Sequence, residues 1–216
     1  MSTVNHLGSA MFETHNSPAA KVRFPVLAEA LIVGPPSSKT IWTATVKAFL
    51  LVIGSLLLAM SAQFKIPLYP VPVTGQTLVV LLIGMVYGPR LGGLTIAAYL
   101  LQGAIGLPVF AGGASGIATL LGPTGGYLGG FLIAAVVMGF LAQRGMGRGI
   151  VSTIIAMMVG NAIIYFTGVS WLASFIGAEK ALTVGVLPFL YGDVLKLVVA
   201  AGLMPVAWRL VKKLQK

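Results

Sequence analysis

Apolar positions along the chain gather into six runs, at 44–64, 75–88, 91–107, 127–143, 150–170 and 184–210. A stretch of about 20 apolar residues matches the hydrocarbon core of a bilayer. The pattern therefore predicts an all-α membrane protein, with six transmembrane helices in one domain over 41–216. The second run is short and follows the proline-rich IPLYPVPVTG (66–75). Residues 1–40 carry no comparable run. They hold both histidines, two of the four acids and scattered Ser, Asn and Pro, the composition of a flexible tail. Within them FPVLAEALIV (24–33) is a candidate for a short interfacial helix. No apolar core of a secretory signal lies in the first two dozen residues.

Between the third and fourth runs lies PVFAGGASGIATLLGPTGG (108–126), rich in glycine and free of charge. It has too many glycines for a stable helix and too few polar residues for a plain solvated loop. Irregular backbone at membrane depth must be buried in protein or line a cavity. The stretch is therefore expected to form a lid or re-entrant loop, with Phe110 and Ile117 as apolar cover. LGGLTIAA (91–98) and LGGFLIAA (128–135) echo one another. That is either an internal repeat or two helix starts where glycines permit close approach.

Composition agrees with the pattern. The 216 residues are 57% hydrophobic and 8% charged, with a mean hydropathy of +0.99. A soluble domain carries about 25% charge. The net charge of +10 could suggest nucleic acid, but the basic residues sit at the ends of apolar runs, not in a stripe with exposed aromatics. With both termini inside, the cytoplasmic side receives Lys21, Arg23, Lys39, Lys47, Arg90, Arg144, Arg148, Arg209, Lys212, Lys213 and Lys216, eleven of the 14. Only Lys65 and Lys180 fall outside. The bias predicts a multi-pass protein of the cytoplasmic membrane with both termini cytoplasmic.

Asp193 and Lys196 stand within the sixth run, three residues apart and so on nearly one helix face. Each at the bilayer centre costs about 2.5–3.5 kcal/mol on insertion scales. Pairing lowers that cost, but deleting both lowers it further, so the pair points to a use. An aspartate only accepts and a lysine only donates. Together they suit a neutral head with N–H and C=O groups, such as a urea or amide, or an anion held by the lysine. A structural salt bridge near the membrane surface is the plainer alternative. Further candidates for the same cavity are Tyr99 and Gln102 late in the third run, Tyr127 opening the fourth, and Asn161 in the fifth. Asn161 serves equally as glue between helices, and Tyr127 as an interfacial aromatic.

Catalytic patterns are absent from the sequence. LLGPTGGYLGG lacks the Gly-Lys-Ser/Thr ending of a phosphate loop. With no cysteine, and both histidines in the tail, there is no metal cluster and no base for Ser115 other than a remote Ser115–Lys196 dyad. Neither an enzyme nor a resident cofactor or metal is expected, and ATP-driven transport would need hydrolysis on a partner.

GPRLGGLTIAAYLLQGAIGLPVFAGG (88–113) and LLGPTGGYLGGF (120–131) closely resemble the BioY family, the biotin-specific S components of energy-coupling-factor transporters. AQFKIPLYPVPVTGQTL (62–78) is similar to the family's segment joining its first two helices, and YGDVLK (191–196) to its Asp-x-x-Lys motif. The resemblance covers about 50–210. It implies six helices around an outward-opening biotin pocket. In it Asp193 would accept from the ureido N–H groups, and Lys196 would donate to the carbonyl or carboxylate. The loop 108–126 would occlude the ligand, with Phe110, Gly112 and Gly113 near it and Tyr99 and Tyr127 as further candidates. It also implies a transmembrane coupling subunit and two ATP-binding subunits as partners. The family's Ala-x-x-x-Ala docking pattern reads Ser55-x-x-x-Ala59 here. Two other readings compete with an ATP-energised S component. One is a stand-alone ion-coupled carrier with Asp193 as coupling carboxylate, the other a membrane serine hydrolase using Ser115.

Overall fold

The computed structural model describes residues 25–31 and 39–214. The expected tail is therefore seen only at 25–31, and the rest of it up to residue 38 lies outside the described residues. The described piece contains α1 (Leu27–Leu31). After it come α2 (Lys39–Gln63), β1 (Lys65–Ile66), β2 (Val73–Thr74) and α3 (Gln76–Ala104). A 3-10 turn (Ala111–Gly113) and α4 (Ile117–Leu121) precede α5 (Gly125–Gln143). The chain ends with α6 (Ile150–Ile176), α7 (Ala178–Gly185) and α8 (Leu187–Leu214). Among the described residues, five helical stretches are long and apolar enough to cross a membrane: α2, α3, α5, α6 and the α7–α8 stretch. Large apolar side chains such as Leu57, Phe166 and Val198 point outward while Tyr99, Met138 and Met157 fill the centre. This is the arrangement of a multi-pass membrane protein, in which lipid and not water meets the outer face.

α3 holds a reversal. Residues 23 apart on a straight helix lie about 35 Å apart, yet Gln76 Nε2 donates to Tyr99 Oη at 2.7 Å. The chain turns back at Gly88, whose φ of 80° and ψ of 176° are not helical. Pro89 then starts the return arm, where its missing N–H costs nothing. The two arms, 76–87 and 89–104, press so closely that a methyl group on Gly92 would lie 3.2 Å from Gly84 Cα. Gly84 also meets α5, where an added Cβ would fall 2.4 Å from the Ala135 carbonyl oxygen. The sequence reading placed two separate runs here with a break after 88. The break is where it was expected, and the arms form a tight hairpin.

Other boundaries differ from expectation for local reasons. α6 runs on to Ile176, beyond the expected 170, and stops at Gly177, whose φ of 84° ends the helix without steric cost. The start of the sixth run belongs to the separate short α7, and α8 begins only at Leu187. IPLYPVPVTG is paired at its two ends: Lys65 stands opposite Thr74 and Ile66 opposite Val73 in an antiparallel ladder. The segment leading into α1 is docked on the bundle. Val26 is fully buried against Gly88, Arg148 Nη2 donates to the Pro25 carbonyl at 3.1 Å, and the same guanidinium lies 4.3 Å from the Trp208 ring centre. One end of the bundle is thus marked by α1, the α3 reversal and Arg148. The other end carries the β-hairpin, the 3-10 turn and α4.

Candidate binding site

At the β-hairpin end a cavity opens between the hairpin and the start of α3, the 108–126 loop, α5, α6 and α8. Its wall is aromatic, formed by Phe110, Tyr127, Phe131, Tyr165 and Phe189, with hydroxyls and an amide from Thr74, Gln76 and Thr77. Tyr127 and Phe189 stack with ring centres 6.1 Å apart, and Tyr165 meets Phe189 edge-on at 6.2 Å. An apolar chamber with a few placed polar groups is the usual form of a small-molecule site.

Local sequence explains the positions. Phe110 lies flat on the end of α3 because Gly103 leaves room there; an added Cβ would be 2.0 Å from its ring. A chain of hydrogen bonds then ties three segments at the rim. Thr74 Oγ1 donates to Gln76 Oε1 at 3.1 Å, Gln76 Nε2 to Tyr99 Oη at 2.7 Å, and Tyr99 Oη to the Val109 carbonyl at 2.9 Å. Tyr99 is fully buried and touches Phe110 edge-on at 5.5 Å, so it braces the loop from behind. Tyr127 lines the cavity with its ring while its hydroxyl donates to the Gly185 carbonyl at 2.9 Å, joining α5 to α7.

The ion pair stands directly behind this wall. Lys196 Nζ lies 3.2 Å from Asp193 Oδ1, and the two side chains are only 12% and 7% exposed. Each ion has a second partner that lines the cavity: Tyr165 donates its hydroxyl proton to Asp193 Oδ2, and Lys196 Nζ donates to Thr77 Oγ1 at 2.8 Å. The polarity of the wall follows. With its proton committed to Asp193, the Tyr165 oxygen has only lone pairs to offer, while Thr77, already accepting from Lys196, has its hydroxyl proton to give. The cavity is therefore presented with an acceptor at Tyr165 and a donor at Thr77.

The remaining candidates are spread more widely. Gly112 and Gly113 carry φ values of 69° and 78° in the 3-10 turn, and their neighbours Ala111 and Ala114 line the cavity. Ile117 is 62% exposed and faces away. Asn161 is buried on α6 one turn deeper than Tyr165, on the same face. Ser55 is turned inward, 2% exposed, with its hydroxyl donating to Gln102 Oε1 at 2.7 Å, and Ala59 is half-buried. Ser55 thus ties α2 to α3, and Gln102 is spent on it. Tyr165 and Thr77 escaped the sequence reading. For Tyr165 a signal existed, since Asn161, Tyr165 and Gly168 share one face of α6. For Thr77 there was none, because its partner is more than a hundred residues away.

A polarised aromatic cavity at one end of a helical membrane protein is suited to binding a small solute. The matches to known proteins narrow this. The family model of the BioY family matches residues 36–213. A probable biotin transporter BioY of Pyrococcus horikoshii is 46% identical over 140 residues, covering 65% of this chain and 82% of that protein. The biotin transporter BioY of Thermotoga maritima is 43% identical over 146 residues, covering 67% and 85%. A crystal structure of the S-component for biotin from an ECF-type ABC transporter superposes with a TM-score of 0.69 at 26% identity, covering 82% of this chain and 95% of that one. The chain belongs to the BioY family, whose members are transporters and not enzymes.

Proposed function

We propose that this protein takes up biotin across the cytoplasmic membrane as the high-affinity S component of an energy-coupling-factor system. The observation that carries the reading is the cavity wall polarised by Asp193 and Lys196 through Tyr165 and Thr77. Biotin's ureido ring has N–H donors beside a carbonyl acceptor, the complement of an acceptor at Tyr165 and a donor at Thr77. Its apolar body suits Phe110, Tyr127, Phe131 and Phe189. Asp193 and Lys196 hold the ureido head directly or through these two hydroxyls.

In this reading the two arms of α3 are separate crossings, giving six. The reversal at Gly88 supports that count. The 108–126 loop is the lid, with Phe110, Ala111 and Ala114 on its inner side. Arg90, Arg144, Arg148, Arg209, Lys212 and Lys213 belong to the α1 end and Lys65 and Lys180 to the other, so charge bias directs the cavity outward and both termini inward. No phosphate loop occurs in the chain, so energy comes from two ATP-binding subunits through a transmembrane coupling subunit. Because Ser55 is committed to Gln102, docking falls to the outward side of α2, where Leu56 and Met60 are exposed beside Ala59. A stand-alone ion-coupled carrier has no observation in its favour, since Asp193 is tied to Lys196 and Tyr165.

Calorimetric titration of the purified protein in detergent tests the reading. Wild type should bind biotin more tightly than micromolar. Asp193→Ala should weaken binding by about 2–5 kcal/mol, because Lys196 is left buried beside an uncharged neighbour. Wild type without binding at micromolar biotin ends the assignment.

A further inference from the structure

The cavity lining contains no charged side chain, and the one ion pair behind it is neutral in sum. A biotin anion entering this chamber has no net positive charge waiting at depth. Burying its carboxylate among Phe131, Tyr165 and Phe189 would carry the full desolvation cost of an ion. The carboxylate must therefore stay at the mouth.

Lys65 stands beside that mouth. It sits on β1 directly opposite Thr74, which lines the cavity. Its stem crosses from the hairpin to the loop: an added Cβ on Gly112 would lie 1.9 Å from Lys65 Nζ, 2.9 Å from Cε and 3.3 Å from Cδ. Gly112 is thus kept bare by the lysine, and its neighbour Ala111 lines the cavity from the other side. No carboxylate pairs with Lys65 among the described residues, and the residue is exposed. Lys180 is the other cation at this end, but it follows Glu179 on α7, and no residue of α7 lines the cavity.

We propose that Lys65 is the carboxylate-recognising residue of this site, placed by the β-hairpin over Gly112 so that its ammonium meets the substrate's acid group as it emerges from the cavity. This rests on the biotin reading above and adds to it the direction of the ligand, ureido head inward and acid outward. It also gives Gly112 a purpose: any side chain there would displace the lysine.

The test compares biotin with biotin methyl ester and biotinamide, titrated into the purified full-length protein and into Lys65→Met and Lys65→Arg. Wild type should favour the acid over both neutral analogues by roughly tenfold, the worth of one charge-assisted hydrogen bond. Lys65→Met should lose that factor for biotin alone, leaving the neutral analogues unchanged, and Lys65→Arg should restore most of it. Wild type that binds acid and analogues equally overturns the proposal without use of any variant. So does a Lys65→Met that weakens all three ligands alike, which marks a structural latch. If wild type binds none of them, the biotin reading itself falls, a result distinct from either.

Discussion

Lys196 donates one hydrogen bond to Asp193, and each has a second partner on the cavity wall, Asp193 accepting from Tyr165 and Lys196 donating to Thr77. Two ions that merely neutralised one another would be replaceable by apolar residues at little cost. Two that also orient Tyr165 and Thr77 are not, because in the proposed binding mode those hydroxyls meet the urea. Tyr165→Phe should therefore weaken biotin by about 1–2 kcal/mol, while Asp193 keeps Lys196 and the fold is retained. Calorimetry checks this, and unchanged affinity would remove Tyr165 from the site. The pair itself was legible in the sequence, since charge in an oily run stands out against its neighbours. Its partners were not. Tyr165 looks like one more aromatic in IIYFTG, and Thr77 reaches Lys196 only through the tertiary fold.

Whole helices obey simpler rules, and most of them were readable. Apolar run length placed α5 closely, missed the start of α2 and the end of α6 by more than a turn, and left its gap between the second and third runs at the Gly88-Pro89 reversal. What run length could not show was how close the elements come. Both echoing segments place glycine at a tight contact, Gly92 against Gly84 and Gly130 against Ile164 Cα at 3.2 Å, as close packing requires. Gly84→Ala should destabilise the bundle by about 1–3 kcal/mol through the clash with Ala135. Gly129→Ala, with nothing near the added methyl, should be neutral or slightly stabilising. Melting temperatures of the two variants in detergent check the contrast; equal values would mean that the α3–α5 contact is looser than described. The docking of α1 was illegible for a different reason: its partners, Gly88 and Arg148, supply no local periodicity.

At the scale of the molecule, the chain has no cysteine, so each introduced one reports alone. Tyr69→Cys, at a position 94% exposed in the β-hairpin, should react with a membrane-impermeant maleimide on intact cells. Lys212→Cys should react only after permeabilisation, and the reverse pattern would invert the topology. The hairpin of α3 has its own bearing on how such a protein works. Its first arm begins beside Thr74, Gln76 and Thr77, its second ends beneath Phe110, and its bend rests on α1. Both jaws of the chamber are therefore handles of one pair of tongs, whose pivot lies at the far face of the bundle. A push delivered at that pivot would reach both jaws through the same piece of chain.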